Sequence, residues 1–298
     1  MEKRILLLIN PKSGKGRYRG EIANILDVLC RDGAVTVQIT KYPGHASVLA
    51  RQGAEQYDII VCLGGDGTLA ETVAGLMESE VRPPLGYIPM GTANDMATTL
   101  HLPKDGKKAA EVILEGQAIS LDVGRFKNSY FTYIAAFGAF TEVAYQTPSG
   151  NKQALGHLAY VLEGLGRMRK ITPRKLAVEY DEQRIEGEFV FGAVTNTTSI
   201  AGLLRLSTDM VDLSDGAFEV ILVKNPRNIL DLNTIFMDIV TKKYESEYIQ
   251  IFRAKQVRFL FEEPVSWTRD GEAGGVHEEL CLHTISPGVQ IFVPKEKE

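Results

Sequence analysis

Over the first 120 residues, short apolar runs alternate with apolar positions at helical spacing, the pattern of β-α-β units around a parallel sheet. Residues 5–9 are apolar without a break, as in a strand buried on both faces. Asn10-Pro11-Lys12-Ser13-Gly14-Lys15-Gly16 then reads as a loop, and Ile22, Ile25, Leu26 and Leu29 share one face of a following helix. Residues 35–40 and 59–63 are the next expected strands. The second of these runs into Gly64-Gly65-Asp66-Gly67-Thr68, after which Leu69, Val73, Leu76 and Met77 recur at helical spacing. Pro83 and Pro84 break the chain, residues 85–88 predict another strand, and Gly91-Thr92-Ala93-Asn94-Asp95 opens another helix.

Past residue 120 the texture changes. Leu176, Val178 and Tyr180 alternate along 175–180, residues 184–191 read as their hairpin partner, and Val257, Phe259 and Phe261 repeat the period of two expected of a half-buried antiparallel sheet. Two helices interrupt these strands. One covers 154–168 through Leu155, Leu158, Leu162 and Leu165; the other covers 226–240, with Asn225 as N-cap and Pro226 at the first helical position. No repeat or low-complexity linker intervenes, so the boundary near 120–128 is a change of texture only.

Composition narrows the class. The 298 residues carry 33 Lys plus Arg against 38 Asp plus Glu, a net charge of −5 that argues against nucleic acid as a partner. That average hides a division: 3–20 holds six basic residues and no acid, and 164–178 holds five, leaving 22 basic against 38 acidic residues elsewhere. Cys30, Cys62 and Cys281 lie far apart and form neither a disulfide framework nor a zinc knuckle. The apolar run at 5–9 is shorter than a signal-peptide core and far below the ~20 residues that span a bilayer. A cytoplasmic protein is expected, peripheral at the inner face of a membrane, with a homodimeric state left open.

The glycine loops carry the candidate chemistry. Gly64 to Thr68 sit between a buried strand and a helix, where backbone N–H groups favour an anion and glycines let the backbone approach phosphate oxygens. An aspartate among phosphates is repelled unless a cation intervenes, so Asp66 implies magnesium. The plainer alternative is a turn in which Asp66 caps its own helix. Asn10 to Gly16 lacks the Walker A spacing, although Lys12 and Lys15 could reach phosphates. With Gly91 to Asp95 it completes three loops at the carboxyl ends of strands, the usual ligand position in open α/β sheets.

Together N-P-x-S-G-x-G, G-G-D-G-T and G-T-A-N-D resemble the diacylglycerol kinase catalytic family, in its bacterial soluble lipid-kinase branch. Asp122-Val123-Gly124, Leu155-Gly156-His157-Leu158-Ala159-Tyr160, Asp215-Gly216 and Asp270-Gly271-Glu272 follow in the family's order, so the resemblance covers nearly the whole chain. It implies an α/β, Rossmann-like N-terminal nucleotide domain over about 1–125, to which the tail from about 286 returns. A mainly antiparallel β-sandwich domain over 126–285 would follow, with the active site between the two. By the family's pattern ATP would be held by Asn10, Ser13, Gly14, Lys15, Thr40, Gly64, Gly65, Asp66, Gly67, Thr68, Leu69, Ala70, Thr92 and Asn94. Magnesium would take the Asp215 carboxylate and the carbonyls of Asp212 and Ala217, with Asp66 joining through water. On residues alone, Asp215-Gly216 reads as a hairpin turn.

Glu272 would be the general base, beside Asp66 as the other catalytic carboxylate, with Asp270 as its fallback. In an extended strand the two acids of Asp270-Gly271-Glu272 face one side, whereas a turn at Gly271 points only one inward. The family commonly continues Asn-Asp-Phe-Ala-Arg, where this chain has Asn94-Asp95-Met96-Ala97-Thr98; Arg17 or Arg19 is the candidate replacement for the missing arginine. Arg167, Arg169, Lys170, Arg174 and Lys175 form a basic cluster able to meet anionic lipid. His277, Cys281 and His283 read as scattered strand residues rather than a metal trio, and Trp267 as a packed aromatic. The activity these readings imply is transfer of the γ-phosphoryl group of ATP to a lipid hydroxyl, diacylglycerol first. A sphingoid base, a polyprenol or an NAD-like acceptor, and a regulator without turnover, are the alternatives.

Overall fold

The structure, a computed structural model, describes residues 2–138, 172–200, 204–244 and 246–295. The helix expected over 154–168, the Leu155 to Tyr160 motif, and Arg167, Arg169 and Lys170 lie outside the described residues. The chain divides into two compact units, Met1–Val123 with Ile285–Glu298, and Gly124–Thr284.

In the first unit, strands β1 (Lys3–Ile9), β2 (Gly33–Ile39), β3 (Ile59–Gly64) and β4 (Leu85–Pro89) are parallel in the order β2-β1-β3-β4. The end of the last strand adds beside β4, with Ile291 opposite Leu85. Residues 5–9 are buried throughout because the sheet is covered on both sides. Ile5, Leu7 and Ile9 share a core with Ile25, Val28 and Leu29 of α1 (Tyr18–Leu29) and Ala109, Ala110 and Ile113 of α5 (Gly106–Glu115). Leu6 faces the other way, against Gly53 of α2 (His45–Gly53). There α2 lies so close to α3 (Asp66–Met77) that a Cβ on Gly75 would stand 2.2 Å from the Ser47 carbonyl oxygen. A short helix, α4 (Asp95–Thr99), follows β4.

The second unit is antiparallel. Its strands include the end of β5 (Gln117–Phe126), β6 (Ser129–Phe131), β7 (Ile134–Gly138), β8 (Arg174–Tyr180), β9 (Gln183–Thr195), the short pair β10 (Ser199–Ile200) and β11 (Leu204–Arg205), and β12 (Phe218–Lys224). β13 (Ile249–Ala254), β14 (Gln256–Arg269) and the first part of β15 (Glu272–Val293) complete it. β8 and β9 form the expected hairpin, and β12 lies between β9 and β13. Alternation along β12 feeds two cores. Phe218, Val220 and Leu222 join Phe137, Phe189, Phe259 and Trp267, while Ile221 and Val223 join Leu232, Ile235 and Ile239 of helix α6 (Ile229–Thr241). Trp267 is a core aromatic, with Phe137 and Phe259 each 5.0 Å away between ring centroids.

Helix α6 begins three residues later than the sequence suggests. Asn228, not Asn225, is the N-cap: its extended backbone lets the side-chain oxygen accept from Leu230 N at 2.7 Å and Asp231 N at 3.0 Å. Asn225 instead prolongs the sheet, donating its N–H to the Glu188 carbonyl at 2.9 Å, and so Pro226 falls in the connection.

Candidate active site

The three glycine loops follow β1, β3 and β4, whose carboxyl ends lie at one edge of the parallel sheet. Asn10 Nδ2 donates to Thr68 Oγ1 at 2.9 Å, joining the first loop to the second. The Gly64 carbonyl accepts from Met90 N at 2.7 Å, and a Cβ on Gly91 would lie 2.7 Å from Gly65 Cα, so the second and third loops touch through bare backbone. Gly14 closes the set: its φ is +55°, and a Cβ there would stand 2.1 Å from the Met90 carbonyl oxygen.

Asp66 organises this edge. Its side chain does not cap its own helix but crosses to the next loop, where Oδ2 accepts from Asp95 N and Oδ1 from Met96 N, each at 3.1 Å. The carboxylate thus satisfies the first turn of α4. Burial, with the Asp95 carboxylate nearby, pushes the Asp66 carboxyl up to about 6, against the amide hydrogen bonds from Met96, Asp95 and Asn94.

The sequence-derived nucleotide residues differ in exposure. Gly64, Thr68 and Leu69 are buried, as is Thr40, whose N–H donates to the Ile9 carbonyl at 2.8 Å. Asn10, Ser13, Gly65, Asp66, Gly67, Ala70 and Asn94 are half-buried, and Lys15 and Thr92 are exposed. Asn94 sits at φ +54° with its Nδ2 on the Gly91 carbonyl at 3.0 Å.

Glu71 escaped the sequence reading. Its Oε1 accepts from Gly44 N at 2.8 Å and its Oε2 from Ala46 N at 3.2 Å, which fastens the segment after Thr40 to α3. The sequence signals it only through an acid placed to meet the start of a neighbouring helix, and α2 carries no side-chain cap to mark that start. Arg17 is engaged elsewhere, with Nη2 donating to the Pro89 and Lys104 carbonyls, both at 3.3 Å, and Nε 3.2 Å from Glu21. Arg19 lies over the Tyr18 ring, and Thr98 Oγ1 donates to the Asn94 carbonyl at 3.2 Å.

In the second unit, Asp270 and Gly271 both have positive φ, +48° and +82°, and form the two-residue turn between β14 and β15. Of the two geometries open to this motif, the turn is realised. Asp270 points inward and is buried; its Oδ2 accepts from Thr132 N at 2.7 Å, and its Oδ1 from Tyr133 N and Ile134 N at 3.1 Å. Burial pushes its carboxyl up to about 6 in spite of these three amides. Glu272, the first residue of β15, is exposed and opposite Arg269 in the hairpin register. Asp270 is a poor candidate base, because both its oxygens are committed to the backbone; Glu272 is accessible.

The proposed metal loop supplies oxygen donors alone, the chemistry that suits a hard cation. Asp215 Oδ1 accepts from Ala217 N at 3.0 Å, and its Oδ2 pairs with Arg253 Nη2. Asp212 Oδ1 accepts from Ser214 N at 3.0 Å and from the Ser214 hydroxyl at 3.1 Å. Behind them Glu219 is buried, with neither carboxylate oxygen hydrogen-bonded, and Arg253 Nε stands 3.5 Å from it. These oxygens are of the type a hard cation takes, and the positive charge they meet in this structure is Arg253. Among the described residues no group of three His, Cys, Asp or Glu side chains is placed to hold a metal ion. Of the basic cluster, the described members Arg174 and Lys175 lie 3.8 Å from Glu263 and 3.9 Å from Glu262.

Comparison with known proteins agrees with both halves. The diacylglycerol kinase catalytic domain matches residues 4–126, and the YegS C-terminal NAD kinase beta sandwich-like domain matches 137–291. Curated relatives named diacylglycerol kinase include one from Bacillus subtilis (strain 168), 33% identical over 99% of this chain and 98% of its own length. Another, from Staphylococcus aureus (strain bovine RF122 / ET3-1), is 35% identical over 99% of this chain and 94% of its own. A crystal structure from Bacillus anthracis str. Sterne, provisionally described as a diacylglycerol kinase, superposes with a TM-score of 0.82 at 26% identity, covering 98% of this chain and 95% of that one. The expected α/β half and antiparallel sandwich half are both present. The chain belongs to the diacylglycerol kinase catalytic-domain family and is a lipid kinase.

Proposed function

We propose that the protein transfers the γ-phosphoryl group of ATP to the hydroxyl of diacylglycerol, giving phosphatidic acid and ADP. The observation that carries this reading is the Asp66 carboxylate holding the third glycine loop against the second, so that three backbone segments able to approach phosphate lie at one sheet edge. Gly67, where an added Cβ would meet nothing within 4 Å, leaves room for phosphate oxygens, and the N-terminus of α3 favours their charge. Lys15, exposed beside Gly14, supplies a cation to the same group.

Magnesium would neutralise charge on the phosphates when bound, and Asp215 with the carbonyls of Asp212 and Ala217 would hold it. Glu272 accepts the proton of the lipid hydroxyl as its oxygen attacks the γ-phosphorus and the bond to the β,γ-bridging oxygen breaks. Asp270 acts on this step only by fixing the turn from which Glu272 projects.

Radiolabelled ATP with diacylglycerol in mixed micelles tests the assignment. Labelled phosphatidic acid is expected from the wild type and not from Asp66→Ala or Glu272→Ala. Full turnover by either variant in folded form would overturn the roles assigned to these two carboxylates, and label appearing only on a sphingoid base, a polyprenol or a nucleotide would overturn the acceptor.

A further inference from the structure

Helix α6 buries one side against the second core through Leu232, Ile235 and Ile239. Its outer side is unusual for a surface helix. Ile229, Leu230, Met237 and Val240 are 57%, 73%, 47% and 41% exposed, four of the nine exposed large hydrophobics among the described residues, gathered on one element of 13 residues. The other exposed positions of α6 are Asn233, Thr234 and Thr241, small and uncharged. Both acids of the helix are turned away: Asp238 is buried, and Asp231 accepts from Arg227 N at 2.9 Å.

Cations bracket this face. Lys242 and Lys243 are exposed at the carboxyl end, and Lys224 and Arg227 precede the N-cap. The helix dipole accounts for lysines at a carboxyl end and disfavours cations at an amino end, where Arg227 has the Asp231 carboxylate beside it and Lys224 is the cation that helix stability does not explain. An apolar stripe framed by basic residues is the pattern of a helix lying in a membrane interface, with its side chains among the acyl chains and its cations at anionic headgroups. A second copy of the same face is a poor occupant, since it would set Lys242 and Lys243 against basic residues, and among the described residues no acid of α6 is exposed to meet them. Glu247, also exposed, belongs to the segment running back toward Lys224, where the Tyr248 carbonyl accepts from Lys224 N at 2.9 Å.

We infer that the outer face of α6 docks on an anionic lipid bilayer, seating Leu230 and Met237 below the headgroups. The inference rests on the reading above only for its purpose, the delivery of the enzyme to a membrane-borne acceptor. It places a lipid contact apart from the one expected of the basic cluster, whose described members Arg174 and Lys175 each lie near a glutamate.

Co-sedimentation with phosphatidylcholine vesicles, with or without phosphatidylglycerol, tests it. The wild type is expected to bind the anionic vesicles, and Leu230→Glu/Met237→Glu to bind them at least about tenfold more weakly. Lys242→Gln and Lys243→Gln are each expected to lose about fivefold, on anionic vesicles only. Unchanged binding by the double variant would overturn the inference. So would a fall in oligomeric state in that variant without lipid, which would give the face to a second copy. Turnover of a short-chain diacylglycerol in free solution should be the same in all of these proteins. If the wild type binds vesicles through this face but phosphorylates no diacylglycerol, the proposed reaction fails while the docking face stands.

Discussion

The glycine-loop edge of the first unit and the hairpin turn of the second rely on the same device, a carboxylate that gathers backbone amides from a neighbouring segment. They use it differently. Asp66 gathers the start of α4 yet stays half-buried at the loop edge, so in the proposed reaction one residue both organises the site and faces the ligand. Asp270 gathers three consecutive amides and is buried, and the reactive role is proposed for its neighbour Glu272. Organisation and chemistry are thus fused in the first unit and divided in the second. A fused site cannot lose its carboxylate without losing both tasks; a divided one can lose them separately.

The largest separation is expected at Glu272. Because the residue is exposed, Glu272→Gln should leave the melting temperature unchanged while lowering kcat by about 10²–10⁴, the usual worth of a general base, with little change in KM for ATP. Asp66→Ala should lower kcat by about 10²–10³, raise KM for ATP and speed amide exchange at Asp95 and Met96 together. Asp66→Asn sharpens the contrast through pH. With its carboxyl at about 6, Asp66 protonates as the pH falls through that value, so wild-type kcat/KM for ATP should drop below pH 6 while the residual activity of Asp66→Asn shows no such step. Loss of activity in Glu272→Gln accompanied by unfolding would erase the distinction.

Asp270 should behave in the opposite way, as a matter of stability first. Removing its carboxyl in Asp270→Ala leaves three amides without their acceptor and should cost about 1–3 kcal/mol in urea unfolding at pH 5, with turnover falling because the turn that presents Glu272 loosens. The pH dependence has a definite sign. The folded carboxyl titrates at about 6 against the ordinary aspartate value of 3.8, so between those pH values the folded chain holds a proton that the unfolded chain has released. Its contribution is fully present below pH 3.8 and is lost as pH rises through 6, a difference of about 3 kcal/mol. Wild-type stability should therefore decline across that window relative to Asp270→Asn, which has no such group. A parallel decline in both would show that Asp270 is not the titrating residue.

Much of the first unit was legible because each of its signals is local. The unbroken apolar run at 5–9, the glycine loops and the helical spacing after each correspond to β1, β3, β4, α1, α3 and α4 within a few residues. The contacts that make a site of them were not local: Asn10 to Thr68 spans 58 residues and Asp66 to Asp95 spans 29, and no spacing rule anticipates either. The α2 helix was missed because Gly44 and His45 open it without a side-chain cap, and with it went the role of Glu71. In the second unit the β8–β9 hairpin was readable from its alternation. The choice between strand and turn at Asp270-Gly271-Glu272 depended on the Thr132 to Ile134 amides, which sequence does not bring near. The misplaced start of α6 has a similar cause, since Asn225 and Asn228 are equivalent as caps until Glu188 claims the first.

The smallest effect expected lies in the two glycines that shape these regions. Gly14 and Gly271 share a left-handed backbone, φ +55° and +82°, in which an L side chain costs roughly 1–2 kcal/mol. Around Gly271 that is the whole cost, because the nearest atom to an added Cβ is Tyr133 Oη at 3.9 Å, an ordinary contact. Around Gly14 the Cβ would meet the Met90 carbonyl oxygen at 2.1 Å, a backbone atom that cannot move without carrying the third glycine loop with it. Gly271→Ala should consequently lower stability by about 1 kcal/mol and leave KM for ATP unchanged, whereas Gly14→Ala should also raise that KM. Equal effects on KM would mean that the first loop is not fixed by its contact with Met90, and that the fused organisation of the first unit rests on Asp66 alone.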